Sequence, residues 1–541
     1  MKKLNSTVLL FTFIAIFCVS LSHAQSAREL ADVYSDLMMF ESPMGIKLRK
    51  DVSKSDIAKM KNKELQAMAT AMMAKSYSTE YRYASYEAYL HPTVLGRELT
   101  IGDGYSKYEN MTGIYLPEGT HIVLADNIAP DADVQLWVPN WERRAPEGIK
   151  PTEDPAGWGI HKQTFRLQNG VNIINLKGYG GLAYVYFYSE KPESEKPLEI
   201  HFVNGKVNGY FDIKKNNDAD WNRLIDNAVY PVIDARGRHI QIAYPAMACK
   251  EFAYNRGVDL ISNYDSLVFR QQRFMGLVKY NRVPRNRILA RVNYNYYMFR
   301  DGDGVAYMGS KPGYAMPLVV NPDRVIKGDP CWGFNHEVGH VHQLRPYLNW
   351  GGLGEVSNNI VTLYVTTSFG NKSRLSEQNN YKSAIDTIVH QKISYLQARN
   401  VFDRLVPFWQ LQLYFDGVGN MPDFYANLHE VFRLQDAKDQ NNPENGESRS
   451  SRRKGNDWGD RGGKNPAEYQ LNFVKQACQV GKTDLIDFFD RYGFFWVGEL
   501  EYNDYGNYHY SMTQKMVDEC KAEIKAMNLR QPRIDLTTLT D

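Results

Sequence analysis

Residues 334–343 read Phe-Asn-His-Glu-Val-Gly-His-Val-His-Gln, and their spacing constrains the fold more than any other stretch of the chain. His336 and His340 are four apart, so an α-helix sets them one above the other on one face, where two imidazoles can reach a single ion. Glu337 follows the first histidine and stands beside such an ion without binding it. From there its carboxylate can take a proton from a water that zinc has acidified, and later hand it to a leaving amine. A catalytic zinc needs a third protein ligand and an open fourth position. Downstream, Pro346 breaks the helix, Gly351, Gly352 and Gly354 allow a tight reversal, and Glu355 starts a second helical pattern. An antiparallel helix pair would return Glu355 to the two histidines. The expected zinc set is therefore His336, His340 and Glu355.

Other ligands fit worse. His342 lies two residues past His340, about 200° round the helix, and is expected to point elsewhere. A metzincin would place glycine at 343 and histidine at 346, where this chain has Gln343 and Pro346. Ligating histidines usually donate their second ring N–H to a nearby oxygen. Asn359, one turn beyond Glu355, and Asn358 are the expected partners, with helix packing or capping as the plainer alternative.

The run from Asn335 to Gln343, followed by Trp350 and by Glu355 to Ile360, resembles the enhancin-like M60 metallopeptidases. The resemblance extends upstream to Gly113–Asp126 and to the Asn169–Ile174 and Gly180–Tyr186 segments, and covers roughly residues 95 to 365. It implies a zinc peptidase that cleaves mucins and other glycoproteins. The amide-hydrolysing chemistry follows from the motif itself; the glycoprotein preference follows from the resemblance alone.

The chain opens Met1-Lys2-Lys3, continues with an apolar run from Val8 to Leu21, and reaches Ser22-His23-Ala24. A basic start, a short apolar core and a small-x-small site describe a signal peptide over residues 1–24, cut after Ala24. Ala15 and Phe17 make a poor lipobox around Cys18. No later stretch is apolar enough to span a bilayer, so an exported protein is expected, periplasmic, cell-surface or extracellular. Export would leave Cys249, Cys331, Cys478 and Cys520, which allow three disulfide pairings or remain buried thiols. A net charge of +2 argues against a nucleic-acid binder. Oligomeric state is not legible.

The length calls for a multidomain α+β protein. Residues 25–94 read as helical, with apolar spacing from Ala27 to Met39 and from Ser55 to Lys75. Short β-prone runs separated by turn residues predict a jelly-roll-like β-sandwich over 95–215. Its Trp137, Trp141 and Trp158 read first as packing residues and second as platforms for carbohydrate contact. A zincin-type metallopeptidase core is expected over 216–434, with a helix from Trp221 to Ile233 and a substrate-binding edge strand between Tyr307 and Val320. Residues 435–465 read as an exposed polar loop, and 466–541 as the helical C-terminal part of the catalytic region. Within that part, Tyr502, Tyr505, Tyr508, His509 and Tyr510 form an aromatic, polar stretch that could donate to an oxyanion, with none singled out.

Three functions compete. The first is a secreted zinc endopeptidase acting on mucin-type glycoproteins. The second is an exported glycan-binding protein with an inactive metallopeptidase fold, and the third a zinc amidase acting on cell-wall peptides.

Overall fold

The computed structural model describes residues 27–311, 313–441 and 465–541. The leader read over residues 1–24 lies outside them, as does most of the expected 435–465 loop. Residues 435–441 are helical instead, continuing Phe424–Asn441.

Three helices open the described chain, over residues 27–37, Lys54–Ala58 and Lys63–Met73. The run expected from Ser55 to Lys75 is interrupted because Asn62 caps a new helix, its side chain accepting from the Glu64 and Leu65 N–H groups at 3.0 Å. These helices cover one face of a four-stranded sheet ordered Tyr83–Tyr86, Leu198–Phe202, Gly119–Asp126, Gly170–Leu176. The second sheet of the sandwich runs Lys206–Val207, Asn110–Leu116, Gly181–Ser189, Val134–Pro139, Lys162–Arg166, with Tyr89–Leu90 paired onto Gly181–Ser189.

The pleat sorts side chains between layers. Ile122 and Leu124 pack under the helices with Val33, Leu37 and Leu65. Their neighbours Val123 and Ala125 face the sandwich interior with Leu136, Val185 and Phe187. On the second sheet, Leu182 and Tyr184 turn outward into the core shared with residues 211–541, together with Trp137 and Trp141. Both outer faces are thus covered, which is why Leu182–Phe187 reads as near-continuous apolar sequence rather than as an alternation. Each apolar side chain of this size contributes about 1.5–3 kcal/mol on leaving water. Trp137 and Trp141 are core residues, and neither is a carbohydrate platform. Trp141 Nε1 donates to the Tyr184 hydroxyl (3.0 Å), which donates to Asp234 Oδ1 (2.6 Å), tying the sandwich to the strand Val232–Arg236 of a third sheet. Burial pushes the Asp234 carboxyl up to about 7.

The third sheet has six strands in the order Phe211–Asp212, Val232–Arg236, Ile240–Pro245, Ile288–Asn293, Gly304–Met308, Met298–Asp301. The helix expected to reach Ile233 is shorter, Asp218–Asp226, and Val232 begins a strand. The edge strand is also displaced from its expected place. Tyr307 lies on an interior strand, paired with Val292 on one side and Met298 on the other. The cause is the Asp301-Gly302-Asp303-Gly304 turn, which folds Met298–Asp301 back outside it. Gly304 has φ +126°, and a Cβ there would meet the Leu289 carbonyl at 2.1 Å. Beyond Met308 the chain reaches a short helix, Met316–Val319.

The carboxyl-terminal region packs helices Val401–Asp416, Phe424–Asn441, Pro466–Gly481 and Gln514–Ala526. It also holds an antiparallel hairpin, Gly498–Asn503 with Asn507–Met512, where a helical section had been expected. Its exposed strand alternates half-buried and exposed residues, and the Asp504-Tyr505-Gly506 turn is the signal that marks it. All four described cysteines are free and buried.

Candidate metal centre

The helix Gly328–Val341 carries the His-Glu-x-x-His motif. It ends at His342, short of the cis Arg345–Pro346 bond. The chain then reverses through 350–354 into a second helix, Ser357–Ser368. That helix opens two residues after the expected start, so Glu355 sits in the turn just before it. Contacts run in opposite directions along the two helices: His336 meets Asn359, and Gln343 meets Gly354. The axes can approach because residue 339 has no side chain; a Cβ there would lie 2.7 Å from the Asn358 carbonyl oxygen.

His336, His340 and Glu355 converge, each offering one ligand atom, all within 4.8 Å of one another. The two Nε2 atoms are 3.3 Å apart. Glu355 Oε2 is 3.2 Å from His336 Nε2, and Oε1 is 3.5 Å from His340 Nε2. Two nitrogens bound to one ion at about 2.0–2.1 Å with a tetrahedral angle would be roughly 3.3 Å apart.

The far sides of the rings explain why both Nε2 atoms face inward with lone pairs. His336 Nδ1 donates to Asn359 Oδ1 (2.8 Å), and the Asn359 amide donates to the Glu355 carbonyl (2.7 Å). His340 Nδ1 donates to Gln343 Oε1 (3.2 Å), and Gln343 Nε2 donates to the Gly354 carbonyl (2.7 Å) and Ser357 Oγ (2.9 Å). Two inward lone pairs and a carboxylate at these distances are a donor set for a divalent cation, so the residues fit a zinc ion. Asn359 lies where expected. Asn358 is buried with its amide nitrogen 3.1 Å from His340 Nε2 and 3.1 Å from His336 Nδ1, flooring the site against both rings.

The electrostatics follow from burial among opposite charges. Burial pulls the His336 ring down, but Glu355 and Glu337 outweigh it and hold its pKa up at about 9, so a proton and a cation compete for Nε2. Burial raises the Glu355 carboxyl, and the two imidazoles overcome this and depress it well below the usual range. Glu337 is raised, burial prevailing over His336, His340 and the buried Arg300 charge. His342 points away as expected. It bonds Gln271 Oε1 (2.8 Å) and Tyr105 (3.1 Å), and burial pushes it down to about 3.

Two contributors escape motif reading. Gln343 is one, although its place three residues beyond His340, just past the end of the motif helix, was a usable signal. The other is Asp504, which sits beside Tyr505 at the tip of the carboxyl-terminal hairpin. Asp504 Oδ2 accepts from the Gly352 (2.8 Å) and Gly354 (2.9 Å) N–H groups, bracing the turn that presents Glu355. The Tyr505 hydroxyl donates to Glu355 Oε1, singling it out from the aromatic stretch. Its φ of +56° is uncommon for tyrosine.

Several solved structures share this fold. A metallopeptidase from Bacteroides thetaiotaomicron matches with a TM-score of 0.75 at 22% identity, over 94% of this chain and 81% of that one. A metallopeptidase in complex with Tn antigen gives 0.70 at 23% identity, over 86% and 81%. The M60 catalytic domain of Clostridium perfringens ZmpC, in complex with sialyl T antigen, gives 0.59 at 17% identity, over 85% and 82%. Among curated proteins none matches. Residues 91–202 match the N-terminal domain of M60-like peptidases. Residues 207–493, which hold the motif helix, Glu355, Gln343 and Asn359, match a second and longer family model, and the chain belongs to the family described as Peptidase M60, enhancin and enhancin-like.

Proposed function

We propose that this chain is an exported zinc-dependent endopeptidase that hydrolyses peptide bonds in O-glycosylated, mucin-type glycoproteins. The observation that carries the reading is the convergence of His336, His340 and Glu355 with Glu337 one residue from the first histidine. Export rests on the basic-then-apolar start and the small residues before Gln25. The glycoprotein substrate rests on family membership and on the glycan antigens bound by two of the similar structures.

His336, His340 and Glu355 would hold the zinc, which when bound supplies a Lewis acid that polarises the scissile carbonyl and acidifies the attacking water. Glu337 accepts the proton that the water gives up as its oxygen attacks the carbonyl carbon. It then delivers that proton to the departing nitrogen. Its carboxylate, buried beside the two histidines, is placed for both halves of this task. Asn359 and Gln343 keep both rings in the tautomer that leaves Nε2 unprotonated. The Tyr505 hydroxyl faces the same space as Glu355 and Glu337, and is the donor we assign to the oxyanion.

A matched pair of peptides, with and without O-glycans, tests the proposal by mass spectrometry of the products. Wild-type protein should cut the glycosylated peptide and lose this activity to chelator. Glu337→Gln should retain metal and lose about a thousandfold or more in turnover. Equal cleavage of the bare peptide would remove the glycan requirement. Glycan affinity without any turnover would make the chain a binding protein, and cleavage confined to cell-wall peptides would make it an amidase.

A further inference from the structure

Of the three sandwich tryptophans, only Trp158 is open, with 51% of its surface exposed. It rides on the loop between Val134–Pro139 and Lys162–Arg166, and that loop is held rigidly. Asp154 is buried and accepts from Arg143 Nη2 (3.0 Å), the Ala156 N–H (3.0 Å) and Asn295 Nδ2 (3.1 Å). Asn295 belongs to the catalytic region, and it donates to the Pro151 carbonyl as well (3.1 Å). The indole stacks one face on Tyr296, with ring centroids 3.7 Å apart and planes 14° from parallel. It meets Phe299 edge to face at 4.8 Å and 80°. What remains open is the other face, presented by a buried ion pair and a stacked ring rather than by a loose loop.

Its position connects it to the metal centre. Phe299 lies on the edge strand Met298–Asp301, and among the described residues no strand pairs with the outer side of that edge. The preceding residue, Met298, points to the opposite face. Its sulfur would lie 3.1 Å from a Cβ at Gly333, one turn before Glu337 on the motif helix. A peptide added to this edge alternates its side chains between the two faces. Side chains on one face run toward the motif helix, and those on the other toward Trp158. The concavity beside Trp158 is also lined by Asn140, whose amide suits sugar hydroxyls.

We propose that Trp158, seated on Tyr296 beside the free edge strand, is a pyranose-binding subsite that holds a glycan of the substrate through its open indole face. The subsite rests on the glycoprotein reading above and adds a second point of recognition, away from the metal.

The probe is a mucin-type peptide bearing N-acetylgalactosamine on each Ser and Thr, compared with the bare peptide. Binding is measured by calorimetry on metal-loaded Glu337→Gln protein, alone and combined with Trp158→Ala or Trp158→Phe. Turnover is measured with Glu337 intact. Trp158→Ala should weaken glycopeptide binding about tenfold and raise KM by about the same factor, with kcat within about twofold. Trp158→Phe should cost no more than about threefold, and bare-peptide affinity should not move. Should the alanine variant melt at lower temperature, Trp158→Leu keeps apolar bulk against Tyr296 without a planar face and carries the same comparison. Unchanged binding and KM in the folded variant would overturn the subsite, and so would equal weakening toward the bare peptide. A wild type that cuts neither peptide, yet binds the glycosylated one through Trp158, would sustain the subsite and defeat the endopeptidase reading.

Discussion

The metal centre has two walls of unlike construction. One is the motif helix, which supplies His336, Glu337 and His340 from five consecutive residues, with His340 only 3% exposed. The other is the tip of the carboxyl-terminal hairpin, whose Tyr505 reaches Glu355 across 150 residues of chain and is 47% exposed. The first wall is set by helix periodicity and buried packing against the second helix. The second is set by two backbone hydrogen bonds to Asp504, the Tyr502 hydroxyl on the Gly351 carbonyl and the Tyr505 hydroxyl on Glu355. The residues that would hold an ion thus come from a buried element, while the hydroxyl proposed above as the oxyanion donor comes from a partly exposed one. A donor that would exchange a carboxylate for an oxyanion gains from that more open setting, whereas metal ligands lose from it.

Four variants probe how separate the two walls are. Glu355→Ala should have the largest effect, lowering zinc affinity more than about a hundredfold and abolishing turnover, as read by metal content and peptide cleavage. Tyr505→Phe should lower kcat by about a hundredfold while metal content and KM stay near wild type. If Tyr505→Phe instead empties the site, the hairpin is a structural clamp and the division between walls fails. Asn359→Ala should reduce zinc affinity by about tenfold or somewhat more, because the His336 ring loses the acceptor that orients it. Competition with a chromophoric chelator measures this. Asp504→Ala should be mildest, lowering stability by about 1–2 kcal/mol as two N–H groups lose their acceptor, with only a few-fold loss of zinc affinity. A loss as large as that of Glu355→Ala would show that the 350–354 turn is held from the hairpin alone.

The buried carboxyl of Asp234, on the strand Val232–Arg236, offers a contrast. Its folded pKa, about 7, lies above the ordinary carboxylate value, so between the two the folded state binds the extra proton and stability falls as pH rises. Asp234→Asn should flatten that slope in thermal melts between about pH 4 and 7 while leaving zinc content unchanged.

Much of the site was legible before any coordinates. Histidines four apart need a helix, a glycine-rich reversal returns the chain, and Glu355 is the carboxylate at the right place in it. The layer order of the sandwich was legible as strands and turns, but not which faces would be covered. Trp137, Trp141 and Trp158 are alike in sequence terms, and only packing buries two and leaves one open. The edge strand was misplaced for a similar reason: Met298–Asp301 and Gly304–Met308 have comparable strand-forming residues, and the order in which they pair is a tertiary matter.

What the chain declares locally is therefore the periodic part of its chemistry: ligand pairs on one helix face, a turn, a second helix. Tertiary structure alone decided which of five aromatic or imidazole side chains between 502 and 510 meets Glu355, and that Gln343 is itself held by the Gly354 carbonyl and Ser357. The physical reason is range. Helix and strand periods operate over a few residues, whereas the Tyr505–Glu355 contact exists only once the carboxyl-terminal helices have packed and carried the hairpin tip across to the turn at 350–354.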